Sequence, residues 1–149
     1  MISERLNVAM SMYEGADLEN KKALDLVDEI ERDENGNISF SVITLLNYVN
    51  CRMFSGRLFQ LYIVGENNEG EKIAKPLVDF RMDISGATDR VSQVKHVDMI
   101  GFEIDIPVVG MWSLELYMCD ELDLPEERGD YFDIRGIGEL VSSYFFVVK

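Results

Sequence analysis

The sequence predicts an all-β fold, a single-domain antiparallel β-sandwich of seven or eight strands that takes in residues 1–149. Three observations predict it. Apolar and polar residues alternate with a period of two along much of the chain, most clearly in residues 102–106 and 112–118. Turns rich in Gly, Asn and Asp separate these runs, and strands do not alternate with helices. A length of 149 residues with 47% hydrophobic content suits one core.

Seven runs carry the strand pattern, and three of them predict strands covered on both faces. Residues 38–50 and 58–64 are apolar in both alternating sets, which indicates central positions in the fold. Residues 140–148 are apolar on both sides too, which predicts a buried terminal strand. The runs at 101–106 and 111–119, separated by the turn at 107–110, predict a β-hairpin. The predicted strands are residues 5–13, 38–50, 58–64, 77–84, 101–106, 111–119 and 140–148.

Residues 17–32 are compatible with two structures. As a helix, the segment would be capped by Asp17 and would carry a thin apolar stripe around Leu24 and Val27, and its Ala, Leu, Lys and Glu content favours this reading. As a strand, residues 23–30 would place Leu24, Leu26 and Ile30 on one face. The first alternative gives an α+β fold with one helix, and the second gives the eighth strand.

Membrane and secretory signals are missing from the sequence. No apolar run approaches the length of about 18 residues that a membrane helix needs, and the start of the chain lacks a basic leader followed by an apolar block. A cytoplasmic location is therefore expected. The two cysteines, Cys51 and Cys119, lack metal-binding spacing and are expected to be buried free thiols, although spacing leaves their redox state open.

Charge is the most informative property of the whole chain. A net charge of −14 argues against a nucleic-acid binder and against a protein of anionic membranes, and it favours a basic protein surface as partner. The acids concentrate in two segments, 25–35 and 120–133, which hold 13 of the 28 acidic residues. These candidate partner-binding residues are Asp25, Asp28, Glu29, Glu31, Asp33, Glu34, Asp120, Glu121, Asp123, Glu126, Glu127, Asp130 and Asp133.

Catalytic and metal-binding motifs do not emerge from the sequence. The one histidine, His96, has no nucleophile motif to serve, and no phosphate-binding loop or zinc motif occurs. Glu103 and Asp105 share a strand face and are expected to be solvated. We therefore expect no enzyme activity, no cofactor and no metal, with one alternative kept open, a loose calcium site at Asp120, Asp123, Glu126 and Asp130.

The order of segments resembles a family of small bacterial β-sandwich domains of uncharacterised function. The likeness rests on ALDLVDEI, ISFSVITLLNY, RLFQLYIVGENNEGEKI and PVVGMWSLELYM, and it covers most of residues 6–119 as a pattern. Residues 120–138 have no counterpart in that family. The resemblance implies a β-sandwich and favours a strand in ALDLVDEI, and it implies no activity.

These observations predict a non-enzymatic interaction protein whose acidic surface binds a basic protein surface. Its specific form would be a nucleic-acid mimic that inhibits a nucleic-acid-processing enzyme, of the kind carried by phages or mobile elements. One alternative is a structural or assembly subunit that forms homo-oligomers through sheet edges. The other is a calcium- or small-ligand-binding sandwich module.

Overall fold

The structure is a computed structural model that describes residues 5–15, 26–49, 57–81, 93–120, 135–136 and 138–149. The described residues form eight β-strands, which confirms the all-β prediction. Within the described ranges, no helix combines the length and the apolar character needed to cross a membrane. The strands are β1 (Arg5–Glu14), β2 (Glu29–Ile30), β3 (Asn37–Val49), β4 (Arg57–Glu66), β5 (Lys72–Arg81), β6 (Gln93–Asp105), β7 (Gly110–Asp120) and β8 (Glu139–Val148).

The strands form two sheets, one of three strands in the order β1-β3-β6 and one of five in the order β2-β8-β7-β4-β5. Neighbouring strands are antiparallel, except that β2 runs parallel to the end of β8. The three-stranded sheet keeps a continuous register. The five-stranded sheet has β-bulges at Leu61/Tyr62 and at Leu116/Tyr117. Such bulges increase the local twist of a sheet.

The core lies between the inner faces of the two sheets. Phe40, Val42 and Leu46 from β3 are buried against side chains of the other sheet that include Trp112 and Phe146. Alternation explains this arrangement, because every second residue of each strand points to the same face. The apolar sets that the sequence identified are therefore the inner faces of the sandwich.

The predicted hairpin at residues 101–119 is wrong, because its two strands belong to different sheets. β6 pairs with β3, whereas β7 pairs with β4 and β8. The connection carries Ile106, which is fully buried, and the indole nitrogen of Trp112 donates a hydrogen bond to the Val108 carbonyl at 2.9 Å. Alternation reveals which face of a strand is buried, but not whether the next strand pairs beside it or packs across the core.

The segment at 17–32 is extended where the structure describes it. Leu26 forms an isolated antiparallel bridge with Tyr13, and Glu29 and Ile30 form β2. The helix alternative is therefore wrong for residues 26–32, and residues 17–25 lie outside the described ranges. Backbone pairing to β1 and β8 overrides the local helix propensity of this segment.

Burial on two faces is confirmed for β4, holds only for part of β3 and is wrong for β8, where Phe145 on the outer face is 68% exposed. Gln60, Tyr62 and Val64 on the outer face of β4 are buried, as are the inner-face residues of that strand. In β3, Ser41 on the outer face is buried, whereas Leu45 on the same face is 40% exposed. β3 is nevertheless the central strand of its sheet, as predicted. Cys119 is a buried free thiol, and Cys51 lies outside the described residues.

Candidate functional site

Acidic side chains gather at one end of the sandwich, which we call the acidic end. They come from the end of β1, from the segment around β2, from the turn before β3 and from the end of β6, and all of them are exposed. Pairing of β3 with β6 places Asn37 opposite Asp105, so the turn and the end of β6 are adjacent. The acidic end consists of Glu14, Asp28, Glu29, Glu31, Asp33, Glu34, Glu103 and Asp105.

The turn at residues 33–37 is held by the side chain of Asp33. Its Oδ1 accepts hydrogen bonds from the backbone N–H groups of Asn35 at 2.8 Å and Asn37 at 2.9 Å. Gly36 has a φ of 82°, a conformation that side-chain-bearing residues rarely adopt. One Asp33 carboxylate oxygen is therefore used to build the turn, while the side chain remains exposed to solvent.

The segment from Asp28 to Arg32 is fixed by backbone hydrogen bonds to the end of the chain. The Val147 and Lys149 N–H groups donate to the carbonyls of Asp28 and Ile30, both at 2.9 Å, and the Arg32 N–H donates to Lys149 at 3.0 Å. Ile30 is buried in the core. The acids of this segment therefore project from a well-anchored backbone.

Cations at the acidic end are fewer than acids. Lys149 forms an ion pair with Glu29, and the hydrogen bond to that carboxylate raises the pKa of the exposed Lys149 ammonium. Lys75 reaches from β5 to Asp105, with 3.7 Å between its ammonium nitrogen and the carboxylate. Arg32 donates a hydrogen bond to the Ile106 carbonyl at 3.1 Å. The acidic end thus has eight described carboxylates and three cationic side chains, so its net charge is strongly negative.

Two surface depressions are candidate sites for a bound group. One of about 380 Å³ lies at the acidic end and is lined by Glu14, Glu31, Arg32 and Asp33 among others. A larger one of about 590 Å³ lies on the outer face of the five-stranded sheet, next to the exposed Phe145. The first suits a cationic group. The second is lined by apolar side chains with charges of both signs, which favours no particular ligand chemistry.

Tyr144 is hydrogen-bonded to the segment that carries Asp28 at the acidic end. Its hydroxyl donates a hydrogen bond to the Val27 carbonyl at 2.8 Å. Burial raises the pKa of the Tyr144 hydroxyl, and the negative charge of Asp28 and the neighbouring Tyr13 raise it further. The neutral hydroxyl is therefore favoured, as its role as a hydrogen-bond donor requires.

The predicted site residues fall into three groups in the structure. Asp28, Glu29, Glu31, Asp33 and Glu34 come together at the acidic end. Asp120 ends β7, opposite Arg57, and ten residue steps separate it from Gly110 near the acidic end, a distance of about 33 Å. The other residues lie outside the described ranges, namely Asp25, Glu121, Asp123, Glu126, Glu127, Asp130 and Asp133.

Glu103 and Asp105 belong to the acidic end but were not among the predicted partner-binding residues. The amide of Asn37 donates to Glu103 at 3.4 Å, across 66 residues of sequence. The sequence signal for their exposure is present, because both are polar positions of an alternating strand. The proximity of Glu103 and Asp105 to the turn at residues 33–37 depends on the pairing of β3 with β6, which local patterning does not reveal.

Comparison with known proteins gives no family for this chain. No protein-family model matches it, and no curated protein sequence matches it. A structural-genomics target from Bordetella pertussis, provisionally described as an ApaA protein, is 8% identical with a TM-score of 0.36, covering 97% of this chain and 94% of that one. Structural-genomics target SoR45 is 13% identical with a TM-score of 0.30, covering 97% and 86%. Likenesses at this level carry no argument about function.

Proposed function

We propose that this protein is a non-enzymatic interaction protein whose acidic end binds a basic surface of another protein. The observation that carries the proposal is the gathering of exposed carboxylates from four separate parts of the chain at one end of the sandwich. Like charges placed together repel one another in the free protein. A basic partner relieves this repulsion on binding.

The backbone beneath these carboxylates supports docking rather than loose attraction. The segment around β2 is hydrogen-bonded to β8 and to Lys149. The turn at residues 33–37 is closed by its own hydrogen bonds, and its Gly36 carbonyl accepts a hydrogen bond from the Ile106 N–H. A fixed array of charges loses less conformational freedom on binding than a mobile one does. It can also be matched in spacing by the cations of a partner, which gives specificity and a fast, salt-sensitive association.

The partner class that fits best is a protein with a groove for nucleic acid. Such a groove carries Lys and Arg side chains that neutralise phosphates, and it binds carboxylates by the same ion pairs. The protein would then act as a nucleic-acid mimic and a competitive inhibitor of a nucleic-acid-processing enzyme. Acids of residues 120–133 would add to the attraction, either on the same partner or on a second one.

The test compares two variants with the same change in charge. E31Q/D33N/E34Q removes three charges from the acidic end, and E66Q/E69Q/E71Q removes three at the turn between β4 and β5. Basic proteins would first be captured from a lysate at low salt and eluted with a DNA duplex. The affinity of each eluted protein for wild type and for both variants would then be measured by titration calorimetry.

We expect E31Q/D33N/E34Q to weaken binding at least tenfold and to reduce its dependence on salt, because each lost ion pair removes a screened attraction. The control variant should bind within about twofold of wild type. Equal weakening by both variants would show that binding depends on the net charge of the protein, and it would reject the acidic end as the binding surface. Failure of any DNA-displaceable protein to bind would reject the nucleic-acid mimic.

A further inference from the structure

The four sheet edges of the sandwich differ in how they are protected. β5, at one edge of the five-stranded sheet, contains Pro76 and two lysines, and its pairing with β4 includes a bulge. The opposite edge, β8, is covered at its end by β2, and its pairing with β7 also includes a bulge. Prolines, lysines, bulges and covering segments are the means by which proteins prevent sheet edges from pairing.

The three-stranded sheet has one partly covered edge and one open edge. At β1, the Met12 carbonyl accepts a hydrogen bond from the Val27 N–H at 2.9 Å, and Tyr13 pairs with Leu26. β6 forms the other edge. Over its 13 residues it has no proline and no bulge, and among the described residues no strand pairs with its side away from β3. At the end of β6 the Lys75 ammonium donates a hydrogen bond to the Asp105 carbonyl, so this edge is covered at its last residue.

The outer face beside this open edge is apolar. Val97 is 57% exposed and Met99 is 51% exposed, and Leu45 lies opposite Val97 in the neighbouring strand. A long, regular strand with unpaired backbone groups and exposed apolar side chains is a template for another strand. The sequence of β6 itself indicates which strand that is.

We propose that β6 pairs antiparallel with β6 of a second copy of this chain, so that the two three-stranded sheets join into one of six strands. A two-fold axis perpendicular to the sheet keeps the outer faces of both copies on the same side. Odd-numbered residues of one β6 therefore lie opposite odd-numbered residues of the other, and even-numbered residues lie opposite even-numbered ones. The register that pairs all 13 residues is centred on Met99. It gives about 12 backbone hydrogen bonds.

Charge complementarity favours this same register. Pairing centred on Met99 places position 95, a lysine, opposite position 103, a glutamate, and the two-fold axis repeats the pair. Asp98 then lies opposite Ile100, and Asp105 lies opposite Gln93, so no two like charges meet. Opposite charges directly across a strand pair are stabilising, and like charges are destabilising.

The arrangement also keeps the two acidic ends apart. Asp105 is six residue steps from the axis, so the two copies of Asp105 would be about 40 Å apart. At physiological ionic strength, exposed charges are screened beyond about 8 Å. The net charge of −14 per chain therefore does not prevent this contact. Glu103 and Asp105 belong both to the acidic end and to β6. The two tests remain distinguishable, because the docking variant changes Glu31, Asp33 and Glu34, none of which lies in β6.

The test is a charge swap read out by sedimentation equilibrium of the full chain between about 1 and 300 μM. Wild type should show a monomer–dimer equilibrium. K95E and E103K should each raise the dimer dissociation constant about tenfold, because the two-fold axis applies each repulsion twice. The double variant K95E/E103K should return to within about threefold of wild type, since the pair is restored with its charges exchanged.

The matched control is K72E, which makes the same charge change as K95E on the β5 edge and should leave dimerisation unchanged. The restored association of the double variant also shows that the substituted chains fold. A wild type that stays monomeric over the whole range would overturn the proposal. So would a dimer that K95E and K72E affect equally, or one that the double variant does not restore.

Discussion

Gly65 is a residue whose lack of a side chain is required by the core. A Cβ placed on Gly65 would lie 2.5 Å from two atoms of the Trp112 ring, which is buried between the sheets. Contacts this short force the indole or the β4 backbone to move. The glycine therefore permits the only tryptophan of the chain to pack against the β4 backbone.

We expect G65A to destabilise the protein by about 2 kcal/mol, because overpacking a core forces shifts of this cost. Urea unfolding followed by Trp112 fluorescence and by circular dichroism would measure the effect. Gly136 provides the matched control, since nothing lies within 4 Å of a Cβ built there and its φ is not positive. G136A should unfold within about 0.5 kcal/mol of wild type, and equal stability of the two variants would contradict the proposed contact.

Tyr144 links stability to alkaline pH. Its folded-state pKa is raised by burial and by Asp28, so above the ordinary value of 10.0 the unfolded chain loses this proton first. Stability from Tyr144 is therefore present below pH 10 and is lost as pH rises through the folded-state pKa. Y144F should lose about 1 kcal/mol at neutral pH, because the hydrogen bond to Val27 is removed.

The measurement is the free energy of unfolding of wild type and Y144F at several pH values from 7 to 11. The difference between them should shrink or reverse above pH 10, since the phenylalanine variant has no hydroxyl to ionise. The hydroxyl of Tyr13, which neighbours Tyr144, gives Y13F as a comparison. A constant difference across the whole pH range would contradict the raised pKa.

Two turns of the chain are built on the same plan with different first residues. In residues 33–37 the Asp33 side chain accepts from the N–H groups two and four positions later, and in residues 67–71 Asn67 does the same at 2.9 Å for each bond. Gly36 and Gly70 occupy the fourth position with φ of 82° and 79°. The geometry therefore requires a side-chain oxygen and a glycine, but no negative charge.

This comparison separates the structural role of Asp33 from its charge. D33A should destabilise the protein by about 1 to 2 kcal/mol, because two backbone donors lose their acceptor. D33N should unfold close to wild type, since Asn67 already performs the same role. Thermal and urea unfolding of the two variants measure this. Equal losses would mean that the charge, rather than the oxygen acceptor, holds the turn.

Local patterning located β1 and β8 closely but found only residues 101–106 of β6, and it did not identify which strands pair. The predicted strand at 140–148 corresponds to β8, Glu139–Val148, and that at 5–13 corresponds to β1, Arg5–Glu14, because alternation is a property of neighbouring residues. The pairing of Ile38 with Ile104 joins residues that are far apart in the sequence, so it depends on the tertiary fold. The acidic character of residues 28–34 could thus be predicted, but the addition of Glu103 and Asp105 to that end could not.

At the scale of the whole molecule, the protection of one sheet edge decides whether association stops at a dimer. Pairing through β6 alone uses one self-complementary edge for each chain, so two copies form a closed pair. A second open edge on the same chain would allow each copy to join two others. Pro76 helps to close that second edge, because proline in an edge strand supplies no N–H donor to an incoming strand.

We therefore expect P76V to convert the dimer into larger, open-ended assemblies, because valine restores the backbone donor of β5 and favours strand pairing. Light scattering coupled to size exclusion, at concentrations from about 10 to 300 μM, would measure the mass. P76K restores the same donor but places an additional charge on the edge, so it should remain dimeric. If P76V and P76K have the mass of wild type at every concentration, the bulge and the lysines of β5 are sufficient protection. If P76V forms larger species while K95E/P76V forms only dimers, two separate edges carry the assembly.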